Sequence, residues 1–260
     1  MDYTDIHCHL AWGIDDGIPS EEDARKALEM AAGDGITTII STPHLYPGYV
    51  DEEKFKQINL RIDDLKRVSK EYGIEIVRGC EFLLNDEAMT WLDRNLYNMI
   101  ENTKFLLCEF NPRVDISEIP YADDMLYELR ARNITPVIAH AERYFDRIDC
   151  DRIRRWIDSG CYIQVNRTSI MGYQGRAAEK NSHELLKKGL CHFVATDAHR
   201  ASGHRVMCLS DAYEKTVSLA GKENADLIFK KNPAELIADR EPADMTVVKQ
   251  GFFSRLKGKR

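Results

Sequence analysis

Seven short apolar runs, rich in β-branched residues, punctuate this chain of 260 residues, and each leads into side chains able to bind a metal ion or a polar group. The runs deliver His7 and His9, then His44, Glu81, Glu109, His140 and Asn166, and finally Asp197 with His199. Stretches of helical spacing separate them, so the chain reads as repeated strand-then-helix units whose strands all point one way. Such units close into a parallel barrel, and the C-terminal ends of barrel strands are where side chains distant in sequence meet. One rim of the fold therefore collects imidazoles and carboxylates. The length suits one barrel, so residues 1–240 read as a single domain followed by a basic tail over 241–260.

The strands are expected at residues 3–7, 36–41, 74–79, 105–108, 135–139, 161–165 and 191–196. On a regular strand His7 and His9, two residues apart, share a face. Ser20 stands where a helix N-cap belongs, with acids in the following turn and Ala24, Ala27, Leu28 and Ala31 at helical spacing behind it. Pro43 has no N–H to give a ladder, so His44 is expected to begin a loop. A long helix is read over residues 51–72, with Phe55, Ile58, Ile62, Leu65 and Val68 on one face. Others are read over 116–132, where Pro120 blurs the start, and over 176–188. Beyond the last strand the chain reads as helical to about residue 240, with a break at Asn232-Pro233.

Composition excludes several classes. A hydrophobic share of 43% and a charged share of 30% are ordinary for a soluble protein with a sizeable core. No run approaches the roughly 18 apolar residues of a membrane span, and the N-terminus has no signal-peptide pattern, which points to the cytoplasm. The seven cysteines lack CxxC spacing and several sit inside strand runs, so they read as reduced core residues. A net charge of −7 disfavours a nucleic-acid partner, which needs clustered Lys and Arg. Lys249, Arg255, Lys257, Lys259 and Arg260 flank Phe252, Phe253 and Leu256, so the tail reads either as solvated or as making weak contact with an anionic membrane surface.

The chemistry lies in the strand ends. Any one of these histidines taken alone is most simply a hydrogen-bonded structural residue, but successive strands do not readily deliver His, His, His, Glu, Glu, His, Asp and His by chance. A nitrogen and oxygen donor set without cysteine suits Mn, Fe, Zn or Mg in a hydrolytic centre. Eight donors exceed the needs of one ion, and a carboxylate such as Glu81 is able to bridge two, so two or three divalent metal ions are expected.

Together His7-Cys8-His9, Asp15-Asp16-Gly17, Thr42-Pro43-His44, Glu81, Cys108-Glu109-Phe110, His140-Ala141-Glu142-Arg143-Tyr144, Gln164-Val165-Asn166 and Thr196-Asp197-Ala198-His199 carry a family resemblance. They resemble the PHP (polymerase and histidinol phosphatase) superfamily. Within it the chain is most similar to bacterial protein-tyrosine phosphatases of capsule and exopolysaccharide operons, over roughly residues 1–240. The resemblance implies an α/β fold, a distorted (β/α)7 TIM-like barrel, with three metals, often manganese. The implied substrate is phosphotyrosine on a bacterial tyrosine autokinase. Residue by residue, it implies a first metal on His7, His9, Glu81 and Asp197, and a second on Glu81, Glu109 and His140. The third falls on Asp16, His44 and His199, Asp16 being preferred to Asp15 because it directly precedes Gly17. Arg143 matches the phosphate-binding arginine. A second such arginine belongs a few residues after His199, and Gly203-His204-Arg205 offers Arg205 displaced by one position, with His204 as an alternative substrate contact.

Phosphomonoester chemistry agrees with these residues. A phosphoryl dianion needs positive charge on its equatorial oxygens and an in-line nucleophile. Phenolate, with a pKa of about 10, leaves with less help from a general acid than an alkoxide needs, although His199 or His204 is placed to assist. Without the family match, Arg143 reads equally well as an ion-pair partner of Glu142 or Asp146. The segment Cys161-Tyr-Ile-Gln-Val-Asn-Arg167 meets the bare CX5R spacing of cysteine-dependent phosphatases, but Tyr-Ile-Gln-Val is a strand pattern and not a small-residue loop that cradles phosphate. Cys161→Ser is therefore expected to leave most activity. Alternatives are a small phosphate monoester such as histidinol phosphate as substrate, a nuclease, or a non-catalytic, metal-dependent regulatory protein.

Overall fold

In the computed structural model residues 2–247 are described, and the basic tail residues from Lys249 to Arg260 lie outside them. Among the described residues nine strands run parallel: β1 Tyr3–Cys8, β2 Ile36–Ser41, β3 His44–Leu45, β4 Glu75–Arg78, β5 Glu81–Leu83, β6 Phe105–Glu109, β7 Thr135–Ile138, β8 Tyr162–Asn166 and β9 Phe193–Ala195. Their order is β1-β2-β4 in one sheet and β3-β5-β6-β7-β8-β9 in the other. Only Thr42-Pro43 separates β2 from β3, and only Gly79-Cys80 separates β4 from β5, so the nine pieces occupy seven strand positions. The seam between β9 and β1 closes at the C-terminal end, where the Asp197 N–H donates to the His7 carbonyl and the His9 N–H to the Ala198 carbonyl, both at 2.9 Å. A curled parallel sheet of this kind is the distorted barrel expected from the strand-helix alternation.

Parallel strands covered on both faces must be apolar on both, and every residue of β1, β6 and β7 is buried. One core cluster joins Ile6, Ile40, Val77, Phe105, Leu107, Val137 and Phe193 from successive strands, with Leu236 packed among them. A larger one lies against the helices. Helix α1, Glu21–Asp34, starts where Ser20 accepts the Asp23 N–H and stops at Gly35, whose left-handed backbone (φ 86°) suits glycine. Helix α2, Glu52–Ser69, is capped by Asp51 and buries Ile58, Ile62, Leu65 and Val68.

Several boundaries differ from the sequence reading for local reasons. The helix read over 116–132 is a 3-10 turn at Ile116–Glu118 followed by Ala122–Ala131, because Pro120 between them has no N–H to donate. Pro233 does not break the helical run: Lys222–Asp226, a wider π turn at Leu227–Lys231 and Asn232–Ile237 follow one another without a gap, with Pro233 in the first turn of the last piece. His44 belongs to β3 and not to a loop: it pairs in register with Glu81 of β5, which sets the two side chains beside each other.

Candidate metal centre and phosphate pocket

Glu81 is the hub. Its Oε2 lies 3.2 Å from the Nε2 atoms of both His7 and His9 and 2.9 Å from His44 Nδ1, while Oε1 is 2.7 Å from His140 Nε2. Glu109, ending β6, places Oε1 3.2 Å from His44 Nδ1 and Oε2 3.5 Å from His140 Nε2. Asp197, just past β9, presents Oδ1 to His7 and His9 at 3.6 and 3.5 Å. Asp16 is exposed, yet its Oδ1 is 3.4 Å from Nε2 of both His44 and His199. All nine side chains expected from the sequence to hold metal thus lie in one cluster at the closed rim.

The donor set fits a group of divalent cations. The Nε2 atoms of His7 and His9 face each other at 3.2 Å. Their ring partners lie on the far side, so two nitrogen lone pairs converge on the same space as Glu81 and Asp197. Glu81 Oε2, Glu109 Oε1 and His44 Nδ1 are buried, both oxygens within 3.2 Å of the nitrogen, without forming well-directed hydrogen bonds, whereas buried polar atoms ordinarily make one. Three sets of donors lie close enough to share an ion: His7, His9 and Asp197; His44, Glu81 and Glu109; and His9, His44 and His199. By proximity, His44 therefore joins Glu81 and Glu109 as well as His199, a more interlocked arrangement than the family resemblance implied, in which Glu81 alone was shared between sets.

Electrostatics keep the central carboxylate charged. Burial alone would raise the Glu81 carboxyl, but the imidazoles of His7 and His44, then His140, hold it well below the usual carboxylate range. Burial likewise opposes charge on His7, and the Glu81 and Asp197 carboxylates overcome it, carrying the imidazole up to about 9. His199 moves the other way, down to about 4, through burial and then the neighbouring His9.

Several supporting roles escaped the sequence reading. Asp15 is not at the donor cluster: its Oδ2 accepts from His9 Nδ1 at 2.8 Å and from the His44 N–H at 2.9 Å, which turns His9 Nε2 inward. Metal-ligating histidines generally rely on such a partner. Gly17 follows because a Cβ there would stand 2.4 Å from the His9 carbonyl oxygen. Asp5, fully buried, accepts from the Thr196 N–H at 3.0 Å and from its hydroxyl at 2.5 Å, tying β9 to β1 below the site. Pairing between β1 and β2 slips between Asp5 and Cys8, an irregularity of the kind that re-aims side chains beside active sites. His140 and Asp197 both hold left-handed backbones, φ 34° and 50°, and strain of this sort concentrates at functional sites. Asp15 and Gly17 stood in the Asp15-Asp16-Gly17 motif, whereas Asp5 had only its place two residues before His7.

A cavity of about 510 Å³ opens over the cluster, lined by His44, Glu81, Glu109, His140, Asp197 and His199 with Arg143 and Arg205 at its side. Arg205 places Nη2 2.9 Å from Asp197 Oδ1 and 3.0 Å from His199 Nε2. Arg143 Nη1 is 3.8 Å from Asp197 Oδ2. Glu142, its neighbour, faces away and accepts from the Asn166 N–H and the Ser169 hydroxyl. Tyr46, Tyr49 and Arg113 also line the cavity and were not read from the sequence. The structure does not bring His204 to it: that ring stacks on Tyr173, 4.1 Å between centroids. Cys161 is buried one residue before β8, at the opposite end from the donor cluster, its thiol pushed up to about 11 by burial. Arg167, at the other end of the decoy motif, grips Asp211 through Nε at 2.8 Å and Nη2 at 2.6 Å and the His204 carbonyl through Nη1 at 2.7 Å. It therefore anchors the segment that carries Arg205.

Fold and site together define a class: parallel-barrel proteins with a cluster of metal-donor side chains and arginines beyond the strand C-termini. The family model described as capsular polysaccharide synthesis, CpsB/CapC, matches residues 3–238, and the chain belongs to that family. It is 29% identical over 247 residues to the tyrosine-protein phosphatase CpsB of Streptococcus pneumoniae, covering 91% of this chain and 98% of that protein. It is 30% identical over 240 residues to the tyrosine-protein phosphatase YwqE of Bacillus subtilis (strain 168), covering 87% and 91%. Among solved structures it matches one from work on YwqE of B. subtilis and CpsB of S. pneumoniae, described there as unique metal-dependent tyrosine phosphatases. That match has a TM-score of 0.77 and 27% identity and covers 95% of this chain and all of that one.

Proposed function

We propose that this chain is a metal-dependent protein-tyrosine phosphatase acting on a phosphorylated bacterial tyrosine kinase that regulates capsule or exopolysaccharide synthesis. One observation carries the reading: four imidazoles surround the Glu81 carboxylate beneath a cavity flanked by Arg143 and Arg205. The naming of its relatives as tyrosine-protein phosphatases supports the substrate class. His7, His9, Asp16, His44, Glu81, Glu109, His140, Asp197 and His199 would hold two or three divalent cations, manganese first among them. When bound, such cations supply positive charge to phosphoryl oxygens and acidify a water molecule.

The chain's own residues do the rest. Arg143 and Arg205 bind the phosphoryl oxygens, for which a planar guanidinium has matched donors. Asp15 keeps His9 Nε2 toward the cluster. Tyr46, whose ring lies 4.7 Å from that of His44, gives the cavity an aromatic wall against which a phenyl ester packs. Phenolate then departs with little need of a proton donor. The cysteines are all free and no helix among the described residues is long and apolar enough to cross a membrane, and a cytoplasmic setting belongs to the same reading.

The test compares Mn(II)-loaded protein on a phosphotyrosyl peptide, a phosphoseryl peptide and histidinol phosphate. Preference for the first is expected, and preference for histidinol phosphate would replace the reading with a small-molecule phosphatase. Arg143→Ala should retain metal while turnover falls on the order of 10²-fold, whereas His7→Ala should lose metal as well.

A further inference from the structure

Strand β8 ends in two fully buried carboxamides, Gln164 and Asn166, which its two-residue period sets on one face. Neither is a metal ligand in the reading above. The backbone N–H of His140 donates to Gln164 Oε1 at 2.9 Å. A backbone N–H is satisfied only by an acceptor, so this single contact decides which end of the amide is oxygen. Gln164 Nε2 then donates to Asn166 Oδ1 at 2.8 Å, and Asn166 Nδ2 donates to Asp197 Oδ2 at 2.7 Å. The remaining lone pair of Gln164 Oε1 meets His7 Nδ1 at 3.1 Å. That nitrogen must carry hydrogen, because two lone pairs at this distance repel. In its neutral form the ring therefore carries its lone pair on Nε2, the atom that faces Glu81 and His9.

We propose that Gln164 and Asn166 are positioning residues forming one directional relay, set by the His140 amide, that presents His7 through Nε2 and Asp197 through Oδ1 to a divalent cation. The relay joins the ends of β7, β8, β9 and β1, so one amide orientation coordinates donors from two strands separated by most of the chain. Partners of this kind fix the tautomer of a ligating histidine, and their loss typically weakens metal binding about 10- to 100-fold.

The inference rests on the cluster holding divalent cations and not on the identity of the substrate. On the full chain loaded with Zn(II), nitrogen-15 spectra of the histidine rings, assigned by comparison with His7→Gln, should place the hydrogen of His7 on Nδ1. Competition with a chelator should give Mn(II) binding about 10- to 100-fold weaker in Gln164→Leu, which removes the relay, and in Asn166→Asp, which sets a carboxylate against Asp197 Oδ2. Gln164→Glu keeps the acceptor but not the donor and should fall between these and the unsubstituted chain. Hydrogen on His7 Nε2, or Mn(II) affinity unchanged in both disrupting variants, overturns the proposal. The ring spectra need no variant of the relay, so they decide even if those variants do not fold. If the unsubstituted chain binds neither ion, the metal-centre reading itself fails and the relay with it. Loss of tyrosine phosphatase activity with Mn(II) binding intact would count against the substrate assignment alone.

Discussion

At Gly17 the close approach of two backbones is enforced by one missing methyl group. A Cβ there would meet the His9 carbonyl oxygen at 2.4 Å and the His9 Cβ at 2.5 Å, neither of which is a flexible side-chain end. Gly17→Ala is expected to destabilise the fold by about 1–3 kcal/mol through overpacking and to weaken Mn(II) binding by displacing His9; calorimetric titration with unchanged affinity would refute that. His7 yields a second prediction. Its imidazole sits at about 9 in the folded chain against 6.5 for the free group. Without metal, the ion pairs of His7 with Glu81 and Asp197 therefore stabilise fully below 6.5, and that contribution is lost as pH rises through about 9. Cations take the imidazole lone pair, so loading near neutral pH must expel protons. Titration in buffers of different ionisation enthalpy should detect the release, and a heat independent of buffer would sink the assignment. The identity of the clustered side chains was legible at this scale, since histidine and acidic residues close successive strands. The role of Asp15 was not, because Asp15 and Asp16 are chemically alike and only their orientation separates a partner of His9 from a donor facing His44 and His199.

Among the elements, the short helix Arg167–Ile170 that follows β8 has the clearest functional duty. Arg167 is buried, bonded bidentately to Asp211 and bonded to the His204 carbonyl, and the next residue is Arg205. Arg167→Met keeps the aliphatic volume and removes the clamp. Small displacements of substrate-binding groups cost as much as about 10²-fold in rate, so kcat/KM should fall while Mn(II) affinity stays as it was. Equal kcat/KM in the variant would show that the segment holds Arg205 without this anchor. Strand and helix existence followed from period and capping, as with Ser20 before α1 and Gly35 after it. The pairing of β3 with β5 did not, because Pro43 masks a two-residue strand whose reason to form is its neighbour and not its own composition.

For the whole molecule, the donor cluster stores the cost of gathering like groups. Glu81, Glu109 and Asp197 are buried together, and buried charge is expensive unless it is paired. Cation binding to the folded chain alone should raise stability by about 2.7 kcal/mol at a hundredfold excess over Kd, several degrees in Tm for a domain of this size. Thermal unfolding with and without a chelator should reveal that gap, and coincident curves would mean the cluster holds no cation. The closed seam makes this a global property: β1 and β9 lie at opposite ends of the chain, yet each delivers donors to the same few ångströms.

The sequence by itself determined the strand-helix alternation and which side chains stand at the strand ends, because both depend on short-range periodicity and residue type. Tertiary structure alone decided the interlocked grouping of donors, the exclusion of His204 from the cavity, the anchoring role of Arg167 and the amide relay through Gln164 and Asn166. Those depend on the direction of single hydrogen bonds between residues as far apart as His7 and Gln164, and such directions arise only when the barrel closes.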